Sequence, residues 1–237
     1  MATAEKTAPT QSTWISIAEL IDHTLLRPEA TRSQIVRLCE EAVNFRFNAV
    51  FVHPSYVAVA AAMLRDSNVK VGTPIGFPQG ATLTTVKRFE ALEAVRLGAQ
   101  ELDMVLNIGA LKSGCYEFVG SDICAVAEAA HNAGAILKVI FETCLLTREE
   151  KIKACELSVA AGADFVKTST GLAGGGATVE DVKLMRSVVG ERAGVKAAGG
   201  IRTAAEVQAM LDAGANRIGT SSGVSIVREL GAPAFSS

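Results

Sequence analysis

The chain has 237 residues, 49% of them hydrophobic and 20% charged, which is enough apolar material for a sizeable core and too much for a disordered chain. Its 23 basic side chains against 25 acidic ones leave a formal charge of -2, which argues against nucleic acid or a membrane surface as partner and requires any positive charge that matters to be local. The five cysteines, Cys39, Cys115, Cys124, Cys144 and Cys155, are odd in number and lack CxxC spacing; this speaks against a disulfide framework or a zinc site and fits a reducing cytoplasm.

Residues 1–12, MATAEKTAPTQS, lack the apolar stretch of a secretory signal and read as a flexible tail. The longest apolar run, YVAVAAAML, is too short to cross a bilayer. Further on, Gly-Ala recurs in LGAQELDMV, NAGAILKVI, AGADFVKTS and AGANRIGTS. Each copy follows an amphipathic stretch and precedes a β-like run, so each reads as a helix, a glycine stop and a strand. RAGVKAAGG is a looser fifth copy. Strands are expected near 20–25, 48–52, 70–75, 101–107, 136–142, 164–169, 194–198 and 216–220. Helices are expected to start at Thr31, Thr84, Thr147 and Thr203, with Thr147 and Glu150 forming a capping box. Residues 231–237, with Gly231 and Pro233, read as a second flexible tail.

The near-continuous apolar strands AVFV and LKVIF fit a parallel sheet covered on both faces. Strict βα alternation without a composition break predicts one domain over 13–230, an α/β fold of the single (β/α)8 TIM barrel type with an extra N-terminal helical segment. An open doubly wound sheet is the alternative, weakened by the lack of a GxGxxG turn after the first strand.

Four expected strands carry an ionisable residue: Asp103, Lys138, Lys167 and Lys196. Each gap is about one βα unit, so the four side chains can converge in one barrel interior. A single strand lysine ordinarily snorkels out at a strand end. Three in successive strands beside an aspartate point to a functional cluster. Two ammonium groups 4 Å apart repel by about 4 kcal/mol at an effective dielectric near 20, enough to bring one lysine toward neutrality. A neutral amine attacks carbonyl carbon, and its imine is an electron sink, so such a site needs no metal or cofactor. Gly171, Gly199, Gly200, Ser221 and Ser222 close the last strands where this architecture places a phosphate, although turns need glycine in any case. His23, His53 and His131 fall in different units without ligand spacing and read as structural or surface residues.

DFVKTSTG, GVKAAGGIRT, ELDMVLNIG, LKVIFET, IDHTLL and RIGTSSG together resemble the deoxyribose-phosphate aldolases, from about residue 17 to residue 228. The resemblance implies reversible cleavage of 2-deoxy-D-ribose 5-phosphate to acetaldehyde and D-glyceraldehyde 3-phosphate in deoxynucleoside catabolism, without metal or cofactor. It implies Lys167 as the Schiff-base lysine, Lys196 as the second lysine that keeps the first one neutral, and Asp103 in proton transfer. Lys138, Asp22 and Thr24 would support them, and Gly171, Gly199, Gly200, Ser221 and Ser222 would hold the phosphate. It also implies a homodimer or higher homo-oligomer acting on small phosphorylated sugars and aldehydes. Phe51 stands where many members have cysteine, Leu172 where some have lysine, and the chain ends AFSS where some relatives carry a tyrosine that assists proton transfer. A different phosphosugar or keto acid, and a barrel that only binds a phosphorylated metabolite, are the rival readings.

Overall fold

The computed structural model describes residues 11–233. An opening helix α1 (Gln11–Ala18) precedes β1 (Ile21–Leu25), and α2 (Arg32–Phe45) leads to β2 (Ala49–Val52). Next come α3 (Val57–Leu64), β3 (Lys70–Ile75), α4 (Thr84–Arg96) and β4 (Glu101–Val105). Two helices, α5 (Ile108–Lys112) and α6 (Tyr116–Asn132), precede β5 (Ile136–Ile140), α7 (Arg148–Ala160), β6 (Phe165–Lys167) and α8 (Val179–Val189). The chain closes with β7 (Gly194–Ala198), α9 (Ala204–Asp212), β8 (Arg217–Thr220) and α10 (Gly223–Glu229).

Among the described residues every strand pairs in parallel with the next, and β8 pairs back onto β1. The sheet is therefore closed, which establishes the (β/α)8 barrel and removes the open-sheet alternative. Strand side chains alternate between the barrel interior and the helix layer. The outward set, including Val50, Val52, Val71, Leu102, Met104, Leu137, Val139, Val166, Val195 and Ile218, is buried against the helices and forms the main apolar core. Each fully buried aliphatic side chain of this kind contributes about 1.5–3 kcal/mol. Apolar packing thus holds the barrel from outside and leaves its interior free for polar side chains.

The helix signals are mostly as read. Thr31, Thr147 and Thr203 cap α2, α7 and α9, each in a capping box with Gln34, Glu150 or Glu206. The four helix-stop glycines, Gly98, Gly134, Gly162 and Gly214, all have positive φ, as a left-handed cap requires. Two readings need correction. Leu83, not Thr84, occupies the N-cap of α4, and the Thr84 hydroxyl instead donates to Asp122 Oδ1 on α6 at 2.7 Å. Gly194 is not a helix stop: α8 ends at Val189 with Gly190 as its cap, and Gly194 is the first residue of β7, where a Cβ would lie 2.2 Å from the Phe165 ring.

Helix α1 begins at Gln11, so residues 11 and 12 of the expected N-terminal tail are helical, and residues 1–10 lie outside the described ones. At the other end Gly231, Ala232 and Pro233 follow α10, and residues 234–237 lie outside the described ones.

Candidate active site

Period-two alternation puts Asp22, Asp103, Lys138, Lys167 and Lys196 on inward positions of five strands. Register then brings them level, with Asp103 opposite Lys138 and Lys167 opposite Lys196. The Lys167 Nζ lies 2.8 Å from Asp103 Oδ2, and the Lys196 Nζ lies 2.7 Å from the same oxygen. Lys196 also pairs with Asp22 Oδ2 at 2.6 Å. Lys138 donates to Asp103 Oδ1 at 3.0 Å and to Glu101 Oε2 at 2.6 Å.

The network runs deeper than the lysines. Arg217 Nη1 donates to Asp22 Oδ1 at 3.0 Å and to Glu101 Oε2 at 2.9 Å, and Asn48 Nδ2 donates to Asp22 Oδ1 at 3.1 Å. Lys138, Lys167, Lys196 and Arg217 thus face three carboxylates, Asp22, Glu101 and Asp103. If all seven groups were ionised, one positive charge would be left over in a medium where unbalanced charge is costly. One neutral amine balances the set.

Position identifies which amine gives up its proton most readily. Lys167 is the last residue of β6 and, of the three site lysines, the one lining the cavity at the barrel mouth. Burial pulls the Lys167 amine down from its ordinary value to about 8; Asp103 opposes the shift, and Lys196 reinforces it more weakly. Crowding by Lys196 is therefore a secondary cause, and loss of hydration is the first, which corrects the cation-crowding argument from sequence. Burial also works against charge on Asp103, but Lys138, Lys167 and Lys196 together outweigh it and hold the carboxyl well below its usual range. Asp22 is lowered as well, its burial outweighed by Lys196, Lys138 and Arg217. Lys138 is also opposed by burial, but Asp103, Glu101 and Asp22 overcome that and raise it.

Phe51 forms the wall beside these charges. Its ring centroid lies 3.7 Å from Lys196 Nζ, 4.7 Å from Lys138 Nζ and 5.9 Å from Lys167 Nζ, within range of cation–π attraction. The ring fits because Gly72 is its register partner on β3: a Cβ there would sit 2.3 Å from the ring.

A cavity of about 680 Å³ opens above Lys167, lined also by Thr24, Gly171, Leu172, Gly199, Gly200, Arg202 and Ser221. Gly171, Gly199 and Gly200 all take positive φ, which lets tight loops carry backbone N–H groups close to a bound anion. Ser222 is placed differently: it does not line the cavity, and its N–H is already bound to the Thr220 hydroxyl at 2.9 Å. Thr24 lines the cavity, but its hydroxyl donates to the Asp22 carbonyl, outside the ion network. The histidines are held by ordinary partners: His23 by Glu41, His53 by the Leu26 carbonyl and His131 by Asp164. Among the described residues no group of three His, Cys, Asp or Glu side chains is arranged to hold a metal ion, and no helix is long and apolar enough to cross a membrane.

Sequence reasoning missed Glu101, Arg217 and Asn48. Glu101 is two residues before Asp103 in ELDMV, and Arg217 two before Gly219 in RIGT, so alternation places both inside. Both are the first residues of their strands, where a charged side chain ordinarily reaches out to solvent.

The family model described as DeoC/LacD family aldolase matches residues 16–230. The chain is 59% identical over 216 residues to a deoxyribose-phosphate aldolase of Thermoanaerobacter sp. (strain X514), covering 91% of this chain and 97% of that protein. To a deoxyribose-phosphate aldolase of Thermococcus gammatolerans it is 61% identical over 215 residues, covering 90% and 96%. Among solved structures, the tetrameric deoxyribose phosphate aldolase of Aeropyrum pernix matches with a TM-score of 0.86 at 34% identity over 92% of both chains.

Proposed function

The chain belongs to the DeoC/LacD aldolase family, and from that premise we propose that it reversibly cleaves 2-deoxy-D-ribose 5-phosphate to acetaldehyde and D-glyceraldehyde 3-phosphate through a Schiff base on Lys167. The observation that carries the mechanism is the Lys167 amine itself. It is buried, lowered from 10.5 to about 8 and fixed 2.8 Å from an ionised carboxylate at the floor of an open cavity.

In the cleavage direction the neutral Lys167 amine attacks the C1 aldehyde carbon, and the carbinolamine loses water to give an iminium. A proton leaves the C3 hydroxyl, the C2–C3 bond breaks, and its electron pair enters the iminium as an enamine. Glyceraldehyde 3-phosphate departs. Protonation at C2 and hydrolysis of the imine then release acetaldehyde and return the amine. Asp103 remains a carboxylate among cations and can pass protons through water, and Lys196 shares its Oδ2 with Lys167. Lys138 and Asp22 hold Asp103 and Lys196 in place. Gly171, Gly199, Gly200 and Ser221 would bind the phosphate, and this remote contact orients C1 toward the amine. Ser222 acts there only if Thr220 releases its N–H.

We place the enzyme in the cytoplasm, a reading supported by five free thiols, two of them exposed. A homo-oligomeric state is supported by the tetrameric relative.

Borohydride reduction with acetaldehyde should fix a two-carbon adduct on Lys167, located by peptide mass spectrometry, and Lys167→Ala should abolish both adduct and turnover. The adduct rate should fall about tenfold per pH unit below 8, as the amine takes up its proton. An unlabelled native chain would favour a barrel that only binds its ligand.

A further inference from the structure

The charged network does not end at the cavity. Lys167 terminates β6 at the mouth, whereas Glu101 and Arg217 are the first residues of β4 and β8, at the opposite end of the barrel. Two unbroken routes join the ends. One runs from Arg217 through Glu101, Lys138 and Asp103 to Lys167. The other runs from Arg217 through Asp22, Lys196 and Asp103.

We propose that Arg217 and Glu101 are positioning residues that set the charge balance of this column, and through it the protonation of the reacting amine. The inference rests on the reading of Lys167 as a nucleophilic free amine. Neither residue lines the cavity, so neither touches substrate. Their side chains are only 12% and 6% exposed, so water screens them little and their influence reaches along the column.

The groups facing the column are Asp22 from β1, Glu101 and Asp103 from β4, Lys138 from β5, Lys167 from β6, Lys196 from β7 and Arg217 from β8. Inside the barrel the column also meets Asn48, the Phe51 and Phe165 rings, and Gly72, which leaves room for Phe51; around the cavity that Lys167 lines stand His23, Arg27, Arg37, Glu41 and Arg202, which every variant below retains. Four basic groups therefore share three acidic ones, and the amine closest to giving up its proton absorbs any imbalance. Loss of the Arg217 cation leaves the column one positive charge short, so Lys167 retains its proton to higher pH. Loss of the Glu101 charge does the reverse, and removing both restores the original balance.

A residue that only supports the fold would not move the pH profile in opposite directions. The experiment compares the native chain with Arg217→Gln, Glu101→Gln and the double variant, using the pH dependence of borohydride-trapped acetaldehyde on Lys167. One uncompensated charge in a partly screened interior should move the midpoint by about one pH unit. The expected result is upward for Arg217→Gln, downward for Glu101→Gln and a return to the native midpoint in the double variant. Circular dichroism identifies the folded variants, and each is read on its own. A folded single variant whose midpoint stays in place or moves the other way overturns the proposal. So does a shifted midpoint in the double variant, which is charge-neutral overall and carries the test if a single variant does not fold. Absence of an adduct in the native chain would instead sink the functional reading beneath it, so the two failures are distinct.

Discussion

Lys167 shows how a residue can serve chemistry against the interest of the fold. Its amine is shifted from 10.5 to about 8 because burial strips water from the charged form. Between those two values the unfolded chain binds a proton that the folded chain does not, so this group makes stability rise with pH across that window. Below about 8 the cost is present in full, and the size of the shift puts it at roughly 3 kcal/mol. Lys167→Met removes the cost while Asp103 keeps Lys138 and Lys196 as partners. The variant should therefore be inactive yet more stable than its parent at pH 6 in urea unfolding, by up to about 3 kcal/mol, with the gain shrinking toward pH 10. Lower stability at pH 6, or a difference that ignores pH, would show that the buried ammonium is not under strain.

At the scale of elements, neighbouring strands are matched by shape as well as by hydrogen bonds. Phe51 on β2 lies opposite Gly72 on β3, and Phe165 on β6 lies opposite Gly194 on β7. In both pairs a Cβ on the glycine would run into the ring. Gly72→Ala should cost about 1–3 kcal/mol by overpacking. Combining it with Phe51→Leu should recover much of that loss, a coupling that a double-mutant cycle in chemical denaturation measures. Additive effects would mean that the ring simply swings aside. The same pairs show where sequence reading stops. Strand positions were legible to within two residues, because glycine stops and apolar runs are local signals. Gly194 was misread because a glycine that ends a helix and one that makes room for a neighbour's ring look alike when both follow a helix closely. Thr84 was misread for a similar reason: a threonine before a helical pattern signals a cap, and its true partner, Asp122, is 38 residues away.

For the whole molecule, the barrel is apolar outside its strands and ionic within them. Half of that was legible: the spacing of Asp103, Lys138, Lys167 and Lys196 announces a cluster, whereas Arg217 opens β8 at a position where a charged side chain ordinarily points to solvent, and instead it turns in to Asp22. An ionic interior gives the fold a stability window with two edges. Asp22 and Asp103 have folded values below the ordinary 3.8, so their contribution is complete above that value and is lost as pH falls through the folded values. Lys138 is raised above 10.5, so its contribution is complete below that value and is lost as pH rises through its folded one. The urea midpoint should therefore hold down to about pH 4 and drop steeply below it. In Asp103→Asn the stability at pH 7 should already be lower, by about 3–5 kcal/mol, because buried cations lose their shared counter-charge. The acid slope of that variant should nevertheless be shallower, since the carboxyl responsible for much of the drop is gone. Equal slopes in parent and variant would place the acid sensitivity in surface carboxylates and leave the barrel interior with no part in it.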